Sequence, residues 1–210
     1  MPVFLDRQKA HLESGLYFDP PHDRCFRLAQ CEHGKRFFQE LGLQEMDFAW
    51  WDEPDRAMHL LEVKDYSEPG RRFEPDHYTN ECVQKATDCL LLLASIWYGL
   101  PYGSQAKDCV PEEWHTLPAA PPQLRMFFVA KVPEPADQRP TKDPFGWDGL
   151  ETRARNRMRA RIELFRVTPA TTLFLMDHRT AARRGLPIKS EQDLLGPPDS
   201  DRPQRRGKRR

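Results

Sequence analysis

Glu62 and Lys64 stand two positions apart within the apolar run Leu60-Leu61-Glu62-Val63-Lys64. Residues two apart in an extended chain point to one face, so here a carboxylate and an amine converge on a single spot. Burying such groups costs several kilocalories per mole unless they pair, bind a metal or take part in a reaction. Upstream, Asp47 opens the run Asp47-Phe48-Ala49-Trp50-Trp51, which leads into the polar cluster Asp52-Glu53-Pro54-Asp55. Two apolar runs around a polar turn with a proline predict a β-hairpin. With the turn centred on Glu53 and Pro54, Asp47 falls opposite Leu60, on the face that also carries Glu62 and Lys64. Opposed strand residues have Cβ atoms about 5 Å apart and diagonal ones about 7–8 Å, spacings at which two carboxylates can share a divalent cation. His59 falls on the other face by the same parity and reads as a structural histidine.

Two carboxylates beside an ammonium suit hydrolysis of a phosphodiester. Water attack adds negative charge to the phosphate; a Mg²⁺ ion held by carboxylates neutralises it and makes the bound water more acidic. A nearby ammonium adds electrostatic stabilisation. The competing interpretation is an ion pair on an exposed strand, and the apolar flanks Leu60, Leu61 and Val63 argue against exposure.

The pattern of Asp47 followed by Glu62-Val63-Lys64 at the end of an apolar strand resembles the PD-(D/E)XK nuclease superfamily, the restriction-endonuclease-like fold. The resemblance covers mainly residues 45–66. It implies an α/β fold with a mixed central β-sheet flanked by helices, and a nuclease acting on DNA in defence, repair or mobile-element biology. It further implies that Asp47 and Glu62 bind Mg²⁺ or Mn²⁺, that the Val63 carbonyl joins them, and that Lys64 orients or activates the attacking water. The chain departs from the pattern at Met46, where the family has proline. The upstream acid is open between Glu32 and Glu40. A helix after the Glu-x-Lys strand often lends a polar residue in this family, which points to Gln84 or Lys85. Two other functions fit the same residues. One is a nuclease-derived scaffold that assembles with a larger partner supplying target recognition. The other is a protein-interaction domain in which Glu62 and Lys64 are only an ion pair.

A chain of 210 residues fits one domain, residues 1–198, followed by a basic tail, 199–210, with too few apolar groups to fold. The formal net charge of zero excludes a molecule that coats nucleic acid through its overall field, so any such binding is local. Local positive charge lies in residues 150–166. There Leu150, Ala154, Met158, Ile162 and Phe165 form one helical face, and Arg153, Arg155, Arg157, Arg159 and Arg161 occupy the others. Those arginines suit a phosphate backbone, and equally a solvated face or an acidic protein partner. The tail can tether nucleic acid electrostatically without reading sequence.

The segment from Tyr78 to Tyr98 predicts a buried helix, capped by Thr79 or Asn80 and ended by Gly99 and Pro101. It is too short, and too polar in its first half, to span a bilayer. Strands are predicted at Leu124–Val132 and Thr171–Met176, with proline-rich loops over Pro101–Pro122 and Pro133–Trp147. Cys25–Gln30 reads as a strand and Lys35–Leu41 as a short helix. Asp177 and His178 read as a turn or cap. The cysteines, Cys25, Cys31, Cys82, Cys89 and Cys109, contain no Cys-x-x-Cys pair, which argues against a zinc site, an iron–sulfur cluster or a disulfide framework. Without a signal peptide, the chain reads as reduced and cytoplasmic.

Overall fold

In chain order, the computed structural model contains strands β1 (His11–Glu13) and β2 (Leu16–Phe18), helix α1 (Glu32–Leu41), strands β3 (Phe48–Asp52) and β4 (Ala57–Asp65), and helices α2 (Pro75–Trp97) and α3 (Pro101–Ala106). Strand β5 (Gln123–Lys131), helix α4 (Trp147–Ile162), strand β6 (Thr171–Asp177), helix α5 (His178–Arg183), strand β7 (Ile188–Ser190) and helix α6 (Glu191–Leu195) follow. The structure describes residues 2–67, 72–116, 123–132, 146–162 and 171–195. The basic tail 199–210, most of the Pro133–Trp147 connection and the last residues of the arginine-rich segment lie outside them.

The fold is a mixed α/β one. The central sheet runs β3-β4-β5-β6, with β3 antiparallel to β4 and the other pairs parallel. The parallel pairings require crossovers; α2 lies in the chain between β4 and β5, and α4 between β5 and β6. Alternation sorts β4 between two cores. Met58 and Leu60 face α2 and α4, packing with Met126, Phe128 and Leu173. Leu61 and Val63 face the other way, toward a small antiparallel sheet, β1-β2-β7, and α5. Gly15, in the β1–β2 turn at φ +68°, permits a close approach between the two sheets: a Cβ there would lie 2.2 Å from Asp65 Oδ2.

The predicted hairpin forms with a shifted register. Asp52 pairs with Ala57 and Phe48 with Leu61, so the turn is Glu53-Pro54-Asp55-Arg56, with Arg56 at φ 47°. The shift is two residues, which preserves every side chain's face. The long helix starts earlier than predicted, with Pro75 in its first turn and Glu74 as N-cap. Thr79 and Asn80 therefore sit inside it, and the Thr79 hydroxyl donates to the Pro75 carbonyl at 2.7 Å. Part of the predicted Pro101–Pro122 loop is α3 followed by 3₁₀ turns at Lys107–Cys109 and Glu112–Trp114. Of the predicted strand at Cys25–Gln30, Phe26 alone bridges to β3, and Leu28–Gln30 forms a 3₁₀ turn. The short helix begins at Glu32 rather than Lys35.

Contrary to the expectation from the cysteine spacing, the chain holds a disulfide and is not fully reduced. Cys31, just before α1, and Cys109, after α3, are bonded, with Cα atoms 5.4 Å apart. A pair 78 residues apart leaves no local spacing signal, so only the packing of α1 beside α3 reveals it. Cys25, Cys82 and Cys89 are free and buried. Among the described residues, no helix is long and apolar enough to cross a membrane.

Candidate active site

Asp47 immediately precedes β3, and extending the ladder by one step sets it opposite Glu62 rather than Leu60. Ala49 exchanges both backbone hydrogen bonds with Phe26, so Phe48 and Trp50 turn theirs toward β4. Asp47 and Glu62 therefore form a non-hydrogen-bonded pair, the kind whose side chains stand closest. The Val63 N–H donates to Asp47 Oδ2 at 2.8 Å. A strand residue's carbonyl points the same way as its own N–H, so the Val63 carbonyl also faces the Asp47 side, beyond the start of β3.

Glu62 is 2 % exposed, and its Oε1 carries two ammonium groups. Lys85 of α2 donates to it at 2.5 Å, and Lys64 lies 3.4 Å away. Oε2 is buried and has no hydrogen-bond partner. Burial and the neighbouring Glu62 carboxylate push the Asp47 carboxyl well above the usual carboxylate range, against the Val63 N–H and the Lys85 ammonium, which lower it. Burial works against the Lys85 ammonium, but the Glu62 carboxylate outweighs it and holds the amine above its ordinary value. Two acids thus stand opposite each other, and an additional positive charge beside them would stabilise their ionised forms. An orphaned carboxylate oxygen beside a second carboxylate is an oxygen-only donor set, which fits Mg²⁺ or Mn²⁺.

The expected accessory residues separate. Lys85 enters the site; Gln84, one position earlier, turns away and donates to Asp88 Oδ1 at 2.8 Å. Gln84 lines a groove of about 560 Å³ with Gln44, Asn80, Glu81 and Arg157. Of the two proposed upstream acids, Glu40 is exposed near the end of α1, and the Glu32 side chain lies outside the described residues. An acid that sequence reasoning missed acts on Asp47 electrostatically. Glu13 of β1, paired with Arg27 at 2.8 Å, adds its own upward push on Asp47, while the Arg27 guanidinium lies 4.3 Å from the Phe48 ring centre. Nothing local marks Glu13, because its strand has only three residues and pairs within the other sheet.

The first three residues of the predicted apolar stripe of α4, Leu150, Ala154 and Met158, are buried against the core; the Ile162 side chain and Phe165 lie outside the described residues. The described arginines of α4, Arg153, Arg155, Arg157 and Arg159, are exposed yet engaged. Arg153 pairs with Asp76 at 3.4 Å, and Arg157 donates to Asn80 Oδ1 at 2.5 Å. Arg155 donates to the Leu173 carbonyl at 2.9 Å and pairs with Glu151 at 2.7 Å. Arg159 is exposed, and the Arg161 side chain lies outside the described residues. Asp177 is the cap that was expected: its carboxylate accepts from the Thr180 N–H at 2.9 Å. A comparison with protein-family models, curated proteins and solved structures finds no match to this chain.

Proposed function

We propose that the chain is a metal-dependent nuclease of the restriction-endonuclease-like class, hydrolysing phosphodiester bonds in DNA. The observation that carries this reading is the apposition of Asp47 and Glu62 on one face of the sheet, with Oε2 of Glu62 unpartnered and Lys64 and Lys85 at its Oε1. An antiparallel hairpin bearing both acids, continued by parallel strands through helical crossovers, is in keeping with that fold. Mg²⁺ or Mn²⁺ bound to the paired carboxylates would supply charge withdrawal from the phosphate and a more acidic water. Lys64, 31 % exposed, is reachable by substrate and suited to hold the attacking water and oppose charge growing on the phosphate. Lys85, mostly buried, is a positioning residue: it fixes the Glu62 carboxylate through Oε1 and leaves Oε2 to the ligand. The groove beside α2 offers Arg157, Asn80 and Gln84 to a sugar–phosphate strand.

One observation favours a second reading. The Lys85 ammonium already neutralises Glu62, which suits a scaffold that retains these residues for stability and assembles with a larger, target-selecting partner. Incubating the protein with supercoiled plasmid and Mg²⁺ or Mn²⁺, with and without chelator, decides between them. The nuclease reading expects cleavage that chelator, Glu62→Ala and Lys64→Ala each abolish. Cleavage that survives both substitutions sinks the proposed site, and salt-sensitive DNA retention without cleavage supports the scaffold.

A further inference from the structure

At the turn end of the β3–β4 hairpin, on the face away from Glu62, three potential ligands converge. Asp52 and His59 are diagonal neighbours on that face, and Asp55 reaches back from the turn. One ligand atom from each of Asp52, Asp55 and His59 lies within 4.8 Å of the others. His59 is the informative member. Its side chain is only 8 % exposed, held edge-on to Trp50 and Phe127 with ring centres 5.0 and 5.2 Å away. Those rings aim Nε2 at Asp52 Oδ2, 3.8 Å away, and Nε2 has no hydrogen-bond partner. That gap is too long for a hydrogen bond. Two donors on a tetrahedral zinc, each about 2.1 Å from it, stand about 3.4 Å apart, so a small closure admits the ion.

We infer that Asp52, Asp55 and His59 form a binding site for a divalent transition-metal ion of the zinc class. An imidazole with two carboxylates favours such ions over Mg²⁺ or Ca²⁺, which take oxygen ligands. The Asp52 and Asp55 side chains are 27 % and 46 % exposed, which leaves room for water as a fourth ligand. The charged neighbour is Arg125 of β5, beside His59 in the ladder and paired with Asp55. Its guanidinium competes with the ion for Asp55. His22 lies behind the site, its Nε2 engaged with the Trp51 carbonyl at 2.7 Å. The ion would fasten the turn to the end of the sheet, and the site does not depend on the nuclease reading.

The test is calorimetric titration of the full chain with Zn²⁺, in excess Mg²⁺ so that the Asp47–Glu62 pair is masked, with Co²⁺ as a spectroscopic probe. One Zn²⁺ site is expected in the wild type, retained in Glu62→Gln, lost in Asp52→Asn and in Asp55→Asn, and tightened in Arg125→Gln. His59→Gln should lose it too, with circular dichroism confirming that the variant folds. Asp55 lies in the exposed turn, so its variant tests the site even where His59→Gln unfolds. Wild-type protein that binds no Zn²⁺, or Zn²⁺ affinity unchanged in Asp52→Asn and Asp55→Asn, overturns the assignment.

Discussion

Replacing Lys85 with Met keeps the length of the side chain but removes the ammonium that sits 2.5 Å from Glu62 Oε1. At an effective dielectric near 20, two unit charges at that distance attract by about 6–7 kcal/mol. Part of this offsets the desolvation of Lys85 itself, which the substitution relieves, and Lys64 still lies 3.4 Å from the same oxygen. Breaking one partner from a buried pair costs about 3–5 kcal/mol, and the remaining lysine puts this case near about 3. In a chain of this size, each kcal/mol moves the unfolding midpoint by about 2–4 °C, so Lys85→Met should melt about 6–12 °C lower in chelator. Thermal unfolding followed by circular dichroism measures this. Glu62→Gln in the Lys85→Met background should recover much of the loss, because the buried carboxylate is then neutral and Lys64, 31 % exposed, keeps its charge in contact with solvent, and the coupling between the two changes should exceed about 1 kcal/mol. Added Mg²⁺ should raise the single variant's midpoint more than that of the double variant. A fall of less than about 2 °C with additive effects would refute the reasoning, since it would mean that Glu62 is solvated rather than held by Lys85.

Three other outcomes follow from the same structure. Asp47 is raised when folded, so its contribution to stability is present below the ordinary carboxylate range and lost as pH rises through the elevated value. Asp47→Asn should therefore unfold at higher urea than wild type at neutral pH, with the gap closing in acid, while plasmid cleavage disappears. Burial and nearby Arg125 lower His59 from 6.5 to about 4, and burial also lowers His178, so both contribute stability that is lost as pH falls below about 6.5. In chelator, urea midpoints between pH 6.5 and about 4 should show that decline, about 3 kcal/mol of it from His59. Closing a 78-residue loop removes about 4–5 kcal/mol of chain entropy, so Cys31→Ala with Cys109→Ala should lose about that much, checked by urea unfolding and by mass spectrometry without reductant.

The centre of the fold was legible in the chain because period-two alternation survives a wrong turn. The alternation puts Asp47 on the correct face although its partner is Glu62 and not Leu60. The apolar stripe of α4 was legible for the same kind of reason, a periodicity that needs no tertiary information. Lys85 could be proposed only by resemblance. Its neighbour Gln84 is equally polar, and what separates them is about 100° of helix rotation against a sheet whose position the sequence does not state. Glu13 and the Cys31–Cys109 bond were illegible because each joins segments brought together by packing alone. Taken singly, Asp52 and Asp55 are turn residues and His59 is a structural histidine. Their convergence needs the register that places Asp52 diagonal to His59.

The four-residue turn between β3 and β4 constrains how this gene can change length. Inserting or deleting a single residue there, with β3 shifting along β4 to absorb it, would deliver Asp47 to the face opposite Glu62 and exchange the surroundings of Trp50 and Ala49. A change of two would restore the faces while sliding the acids apart by two residues, about 6–7 Å. Viable length variants of the turn should therefore bulge outward from Pro54 and Asp55 rather than shift the strand. Homologous chains, when aligned, should carry their gaps inside 53–56 and hold the spacing from each end of the turn to its acid constant.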